Sequence, residues 1–207
     1  MRNSYCRRRG LIAGIFLGAA VPARAMDTQA VIAPIQQLVT GLQAIMKAGL
    51  QTPFPRRFDM LAPVIDRSFD LAAILEKSVG PSWPAFPPDQ QQMLMQAFRR
   101  YTVASYVNNF DNDTGQRLLV DPDTRVVGNE QVVRTRLIPR SGETRTLDYV
   151  MRQGGLGWQV VDVLVDGAIS RVAVQRSDFR RLLARGGARA LADSLSTKFA
   201  DLSGSAG

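Results

Sequence analysis

Histidine is absent from the 207 residues, and the one cysteine is Cys6. Without histidine the chain can build no Ser-His-Asp triad, and a zinc site of His and Cys ligands has nothing to draw on. A lone cysteine forms no internal disulfide, and Cys6 falls in a segment expected to be cut off, which removes the thiol nucleophile too. Carboxylate, lysine, tyrosine and serine chemistry remain. Long apolar runs are also lacking: Leu11 to Val21 has 11 residues, whereas a bilayer span needs about 20. Acidic residues are outnumbered, 18 against 26 basic, for a formal charge of +8.

Much of that excess sits at the start. Arg7, Arg8 and Arg9 precede the apolar run, and Pro22-Ala23-Arg24-Ala25 follows it. A positive cluster, a short apolar stretch and small residues at a cleavage position are the layout of a secretory signal. Residues 1–25 are therefore expected to be a signal peptide cleaved after Ala25, with the mature protein in the periplasm. Arg8-Arg9-Gly10-Leu11-Ile12 also has the shape of a twin-arginine signal, the alternative being an ordinary basic n-region. Either route crosses the inner membrane. Cys6 precedes the apolar run, so it is misplaced for a lipidated mature N-terminus. Removing five arginines and no acid leaves 21 basic against 18 acidic residues. A nucleic-acid partner loses its main support, while a mild positive bias suits transient contact with an anionic membrane surface or an acidic partner. The remaining length of about 182 residues is that of one domain with its own core.

The patterning divides that domain. Val31, Ile35, Leu38, Val39, Leu42, Ile45 and Met46 recur at helical spacing between Asp27 and Ala48, with Gly49 as the stop. Phe58, Leu61, Ile65 and Phe69 mark a shorter helix interrupted by Pro63, and Leu71, Ile74, Leu75 and Val79 another that ends at Gly80-Pro81. Pro87-Pro88-Asp89 opens a helix to about Asn108 with the stripe Leu94, Ala97, Phe98, Tyr101, Ala104 and Ser105. After Asp111 to Gly115 the period becomes 2: Val133, Thr135, Leu137; then Leu147, Tyr149, Met151; then Val161, Val163, Val165. Short turns at Arg140 to Glu143 and Gly154 to Gly157 make these an antiparallel meander, and Arg117 to Val120 is a candidate fourth strand. Helical spacing returns in Phe179, Leu182, Leu183 and in Leu191, Leu195, Phe199, divided by Gly186-Gly187. The expectation is an α+β fold with helices packed on one face of a twisted antiparallel sheet of about four strands. One domain spans 26–202, and 203–207 form a flexible tail.

Phe69-Asp70, Gly80-Pro81-Ser82-Trp83, the Gln90-Gln91-Gln92 helix running on to Phe98 and Tyr106, the stretch from Gly157-Trp158 to Ile169-Ser170, and Arg176-Ser177-Asp178-Phe179 stand in an order that resembles the MlaC/toluene-tolerance family. The HpnM-like branch associated with hopanoid gene clusters is the closer match. Asp166-Gly167-Ala168-Ile169-Ser170 is one residue longer than the Glu-Gly-Val-Ser usual in that family, so a different turn is expected there. The resemblance implies a periplasmic phospholipid-binding protein that holds acyl chains in an apolar cavity between sheet and helices with the head group facing water. It implies a shuttle between the outer membrane and an inner-membrane ABC transporter carrying an MCE-domain ring. For the hopanoid branch the cargo is a hopanoid-type lipid instead. No cofactor, no metal and no enzymatic activity are implied.

The residues available to line such a cavity are Val133, Leu137, Leu147, Tyr149, Met151, Val161 and Val163 from the sheet, and Phe58, Leu61, Ile65, Leu94, Phe98 and Tyr101 from the helices. By pattern alone these close as a dry core, and the resemblance is what favours a cavity. Trp158 and Asp162 are expected on the same side of one strand. Asp162 reads either as a catalytic acid or head-group contact, or as a carboxylate that caps a turn or pairs with an arginine. Tyr101 and Tyr106 offer hydroxyls at the cavity mouth, though five residues apart they need not both face it. Arg134, Arg136 and Arg152 are expected on the opposite sheet face; Arg171, Arg176, Arg180, Arg181, Arg185 and Arg189 crowd the last helices as a solvated face or a docking surface. The competing functions are a non-carrier binding or chaperone subunit with a filled core, and a hydrolase using a carboxylate pair such as Asp111 and Asp162.

Overall fold

A computed structural model describes residues 23–204. The arginine cluster, the apolar run and the greater part of the expected export signal lie outside the described residues, as do the last three residues of the expected tail.

The chain opens with α1 (Ala23–Ala48), whose stripe from Val31 to Met46 is buried along its whole length. Gly49 ends it at φ 63°, a conformation open to glycine at little cost. Pro53 and Pro55 set up the first turn of α2 (Phe54–Ser68), where prolines cost no helix hydrogen bond. Asp70 caps α3 (Leu71–Val79) by accepting from the Ala73 N–H at 2.9 Å. A 3₁₀ turn, Gly80–Ala85, leads into α4 (Pro88–Asn109).

Five strands follow: β1 (Arg117–Val127), β2 (Glu130–Ile138), β3 (Arg145–Gly154), β4 (Gly157–Val165) and β5 (Ile169–Ser170). They pair in chain order, every pair antiparallel. The candidate fourth strand, β1, is longer than Arg117 to Val120 because pairing with β2 resumes at Thr124 after a register shift between Val120 and Thr124. The fifth pairs at only two positions and has no pattern of its own. At the lengthened turn, Asp166 (φ 51°) and Gly167 (φ 74°) both adopt left-handed conformations and close a tight hairpin into β5. The last helix, α5 (Arg171–Gly204), breaks at Gly186 and Gly187, and Gly187 holds φ 61°, ψ −152°. Ser203 and Gly204, expected in the tail, close this helix.

The register of β3 on β4 slips by one residue: Val150 faces Asp162, yet Met151 faces Val160. Such a bulge interrupts the alternation of side chains. Val160 and Val163 therefore both join Val133, Tyr149 and Met151 in the core beneath the helices, while Val161 turns to the other face and packs with Val132 and Val150. This corrects the expected placement of Val161. The link between α2 and α3 lies along the free edge of β4, where the Asp70 N–H donates to the Val160 carbonyl at 3.0 Å and Gln159 Nε2 to that of Phe69 at 3.2 Å.

The outer sheet face carries the three expected arginines in ion pairs. Arg136 meets Asp121, Arg152 meets Glu130, and Arg134 grips Asp148 through Nε at 2.7 Å and Nη2 at 2.8 Å. The hydrogen-bonded Arg134 guanidinium holds the Asp148 carboxyl below the usual carboxylate range, against the opposing effect of burial, with Arg125 adding to it at 3.5 Å. A depressed carboxylate pKa contributes stability above its unfolded value of about 3.9, and that contribution is lost as pH falls through the lower folded value. Solvent screens the pair, since the Arg134 side chain is 47% exposed although that of Asp148 is 1% exposed. Asp148→Asn is accordingly expected to cost about 1 kcal/mol at neutral pH. Thermal melts from pH 7 to pH 2 should show the variant and parent converging below about pH 4.

Candidate functional site

An apolar cavity of about 280 Å³ lies between α3, α4, the first turns of α5 and the β3–β4 end of the sheet. Helical spacing explains the α4 wall: Phe98, Tyr101, Thr102, Ser105, Tyr106 and Asn109 follow one another by three or four residues, or by one at the stripe's width, and so share a side. Phe69, Leu71 and Ile74 close a second wall, Leu147, Val163 and Val165 form the floor, and Arg171, Val172 and Gln175 complete the ring.

The expected lining residues separate into three groups. Phe98, Tyr101, Leu147 and Val163 line this cavity. Leu61, Ile65, Leu94, Val133, Tyr149 and Met151 are buried in the packed core, with Phe58 and Leu137 half-buried against it; Phe58 meets the ring of Phe199 edge-on at 5.9 Å. Val161 stands on the opposite sheet face. Both Tyr101 and Tyr106 reach the cavity, although they are five residues apart. Sequence reasoning missed as lining Phe69, Leu71 and Ile74, Thr102, Ser105 and Asn109 of α4, and Phe110, Val165, Val172 and Gln175; the one signal for Thr102 and Ser105 was the run of small and hydroxyl side chains along α4.

The inner end of the cavity is aromatic. Tyr106 stacks on Phe110 at 6.2 Å and tilts against Phe69 at 5.5 Å, and Phe69 meets Tyr149 at 6.5 Å. Burial pushes the Tyr106 hydroxyl well above its usual range, the neighbouring Tyr149 adds to this, and the positive Arg171 acts against it. Burial likewise pushes Tyr149 up to about 12. Both phenols therefore stay protonated at neutral pH and offer hydrogen bonds without charge.

Asp162 is the carboxylate of the site, set in place by the bulge. Its Oδ1 accepts from the Val163 N–H at 2.7 Å and the Val172 N–H at 3.1 Å, and its Oδ2 from the Ser170 hydroxyl at 2.5 Å. Ser170 Oγ in turn accepts from the Ala173 N–H at 2.9 Å. Together they satisfy the otherwise unpaired N–H groups that begin α5. Of the two readings of Asp162, capping is the one its contacts carry. Asp111 is absent from the cavity lining, and its carbonyl accepts from the buried Arg57. Among the described residues no group of three acidic, histidine or cysteine side chains is placed to hold a metal ion, and no helix is long and apolar enough to cross a membrane.

The chemistry on offer is a small apolar chamber with neutral hydroxyls within it and Asn109 and Arg171 exposed at its rim. No curated protein matches the chain. Among solved structures, a phospholipid-binding protein from Ralstonia solanacearum in complex with a phospholipid is similar, with 21% identity and a TM-score of 0.69 over 84% of this chain and 97% of that one. At that identity the likeness is one of fold. The family model described as MlaC protein matches residues 36–197, which takes in every element from within α1 to within the last half of α5. The chain belongs to the MlaC family.

Proposed function

We propose that the protein is a periplasmic lipid carrier, holding the acyl chains of a phospholipid or hopanoid-type lipid in the cavity between α4 and the sheet. The observation that carries this reading is a chamber with apolar walls, neutral hydroxyls and a cationic rim, in a fold shared with a protein solved around a phospholipid. Each methylene kept from water is worth ~0.8 kcal/mol, so a 16-carbon chain costs roughly 12 kcal/mol to expose. Lipid does not cross an aqueous compartment unaided at that cost. The export signal expected over residues 1–25 supports a location between two membranes, and the family suggests a shuttle between the outer membrane and an inner-membrane transporter with an MCE-domain ring.

A chamber of about 280 Å³ is at the lower limit for ligand pockets. Two acyl chains require it to widen. The hydrolase alternative has little support, since Asp162 is engaged in capping.

A transfer assay tests the carrier reading. Delipidated protein placed between donor vesicles holding labelled phospholipid and unlabelled acceptor vesicles should raise the transfer rate in proportion to its concentration. Unlabelled hopanoid, if it is the preferred cargo, should suppress that rate at lower concentrations than unlabelled phospholipid. A transfer rate independent of protein would contradict the proposal.

A further inference from the structure

The first half of α5 carries more cationic charge than its acids can balance. Arg181 pairs with Asp178 at 2.7 Å, and Arg189 lies 3.7 Å from Asp193. Among the described residues no carboxylate comes within ion-pair distance of Arg171, Arg176, Arg180 or Arg185, all of them exposed. Arg176 and Arg180 stand one helical turn apart, a like-charge spacing that weakens a helix by a few tenths of a kcal/mol. Together with Val79, Pro81, Ser82 and Leu183 they line a groove of about 460 Å³ between α5 and the Gly80–Ala85 turn. A Cβ at Gly80 would stand 3.2 to 3.4 Å from the Arg176 guanidinium, so the planar cation lies close against bare backbone.

Paired guanidiniums match phosphate geometry. The rest of the groove's lining is mostly apolar, from Val79, exposed Pro81, Leu183 and Ala184, and the half-buried Trp83 belongs to the same Gly80–Ala85 turn. Basic residues beside an amphipathic aromatic are the side-chain chemistry of a bilayer's head-group layer. The charge alone would also suit an acidic protein segment. What favours a bilayer is position: along the seam of α3 and α5, Ile74 and Gln175 line the lipid cavity, the Ser78 hydroxyl donates to Gln175 Oε1 at 3.1 Å, and Val79 and Arg176 line the groove, so cavity and groove lie on one seam.

We infer that Arg176 and Arg180, over the Gly80–Ala85 turn, dock the protein on bilayers bearing anionic phospholipid head groups. The purpose of this docking rests on the carrier reading; its existence does not.

The test is cosedimentation of the purified protein with phosphatidylcholine vesicles, with and without phosphatidylglycerol. The protein should pellet with the anionic vesicles, not the neutral ones, and salt should release it. Arg176→Glu combined with Arg180→Glu should lower the partition coefficient by about thirtyfold or more. Arg176→Gln with Arg180→Gln should give a smaller loss with an unchanged melting temperature, which keeps the test valid if charge reversal disturbs the fold. An equal charge change elsewhere, Arg56→Glu with Arg145→Glu, should cost less than about threefold, since it touches only the long-range field. Reversal at the groove no more damaging than this control overturns the inference. So does wild-type protein with no preference for anionic vesicles, which leaves an acidic protein as the occupant. Lipid extracted from the same preparations separates the two claims: docking without cargo defeats the carrier reading alone, and cargo without docking defeats this inference alone.

Discussion

Val163→Trp is expected to weaken lipid binding by more than tenfold while leaving the delipidated fold near its original stability. Val163 forms part of the cavity floor, beside Leu147 and Val165, so an indole placed there enters space that acyl chains need. If it displaces about three methylenes at ~0.8 kcal/mol each, affinity falls by more than tenfold. An existing chamber accepts the added volume without the 1 to 3 kcal/mol that overpacking a closed core costs. Melting temperature has to be compared in delipidated protein, because bound lipid stabilises whichever form carries it. Val161→Trp gives the contrast from two residues away. Val161 is 1% exposed between Val132 and Val150 on the other sheet face, so the same substitution should destabilise the fold and leave lipid occupancy per folded molecule unchanged. Both variants losing lipid and keeping their stability would mean that β4 does not carry the bulge, since residues two apart on an unbroken strand face the same side.

The largest loss of stability is expected from Leu61→Ala. Leu61 has no exposed surface and packs close to Gly41, where its Cδ1 lies 3.4 Å from the position a Cβ would take. Truncating such a leucine costs about 2 to 5 kcal/mol, a large share of the 5 to 15 kcal/mol that typically separates folded from unfolded domains. Urea unfolding of the delipidated variant should show it as a lower midpoint with an unchanged slope. Lipid content per folded molecule should stay at the parent's level, because Leu61 belongs to the closed layer between α1 and α2. Lost lipid without lost stability would return Leu61 to the cavity wall, where sequence reasoning had put it.

That difference between wall and core marks the limit of what the sequence discloses. Strong periods were legible: the stripe from Val31 to Met46 is buried as spaced, the stops at Gly49 and Gly80 and the start at Pro87-Pro88 fall where expected, and the meander pairs in chain order, whereas α2 runs unbroken through Pro63. The Gly186-Gly187 division was legible too, because adjacent glycines interrupt an otherwise helical run. Asp-Pro-Asp in β1 reads locally as a turn, and only pairing with β2 carries the strand across it to Val127. The bulge at Val161 and Asp162 leaves no trace in Trp158-Gln159-Val160-Val161-Asp162-Val163, where every second residue fits an unbroken strand. Most of the site is hidden for a similar reason. Leu94 and Phe98 lie one turn apart on the same face of α4, yet Leu94 is packed and Phe98 borders the cavity. The difference lies in the other walls: Leu71 and Ile74 of α3 and Arg171, Val172 and Gln175 of α5 border the cavity together with Phe98. Helical spacing identifies an apolar face; where two such faces fail to meet is decided by the placement of a third element.

The most direct test of the carrier reading is native mass spectrometry of protein purified from the periplasmic fraction, paired with organic extraction of the same sample. The expected spectrum shows the chain with the added mass of one lipid, and the extract should contain a phospholipid or hopanoid of matching mass. Bare protein mass, with extracts no richer in lipid than the buffer control across repeated preparations, would contradict it.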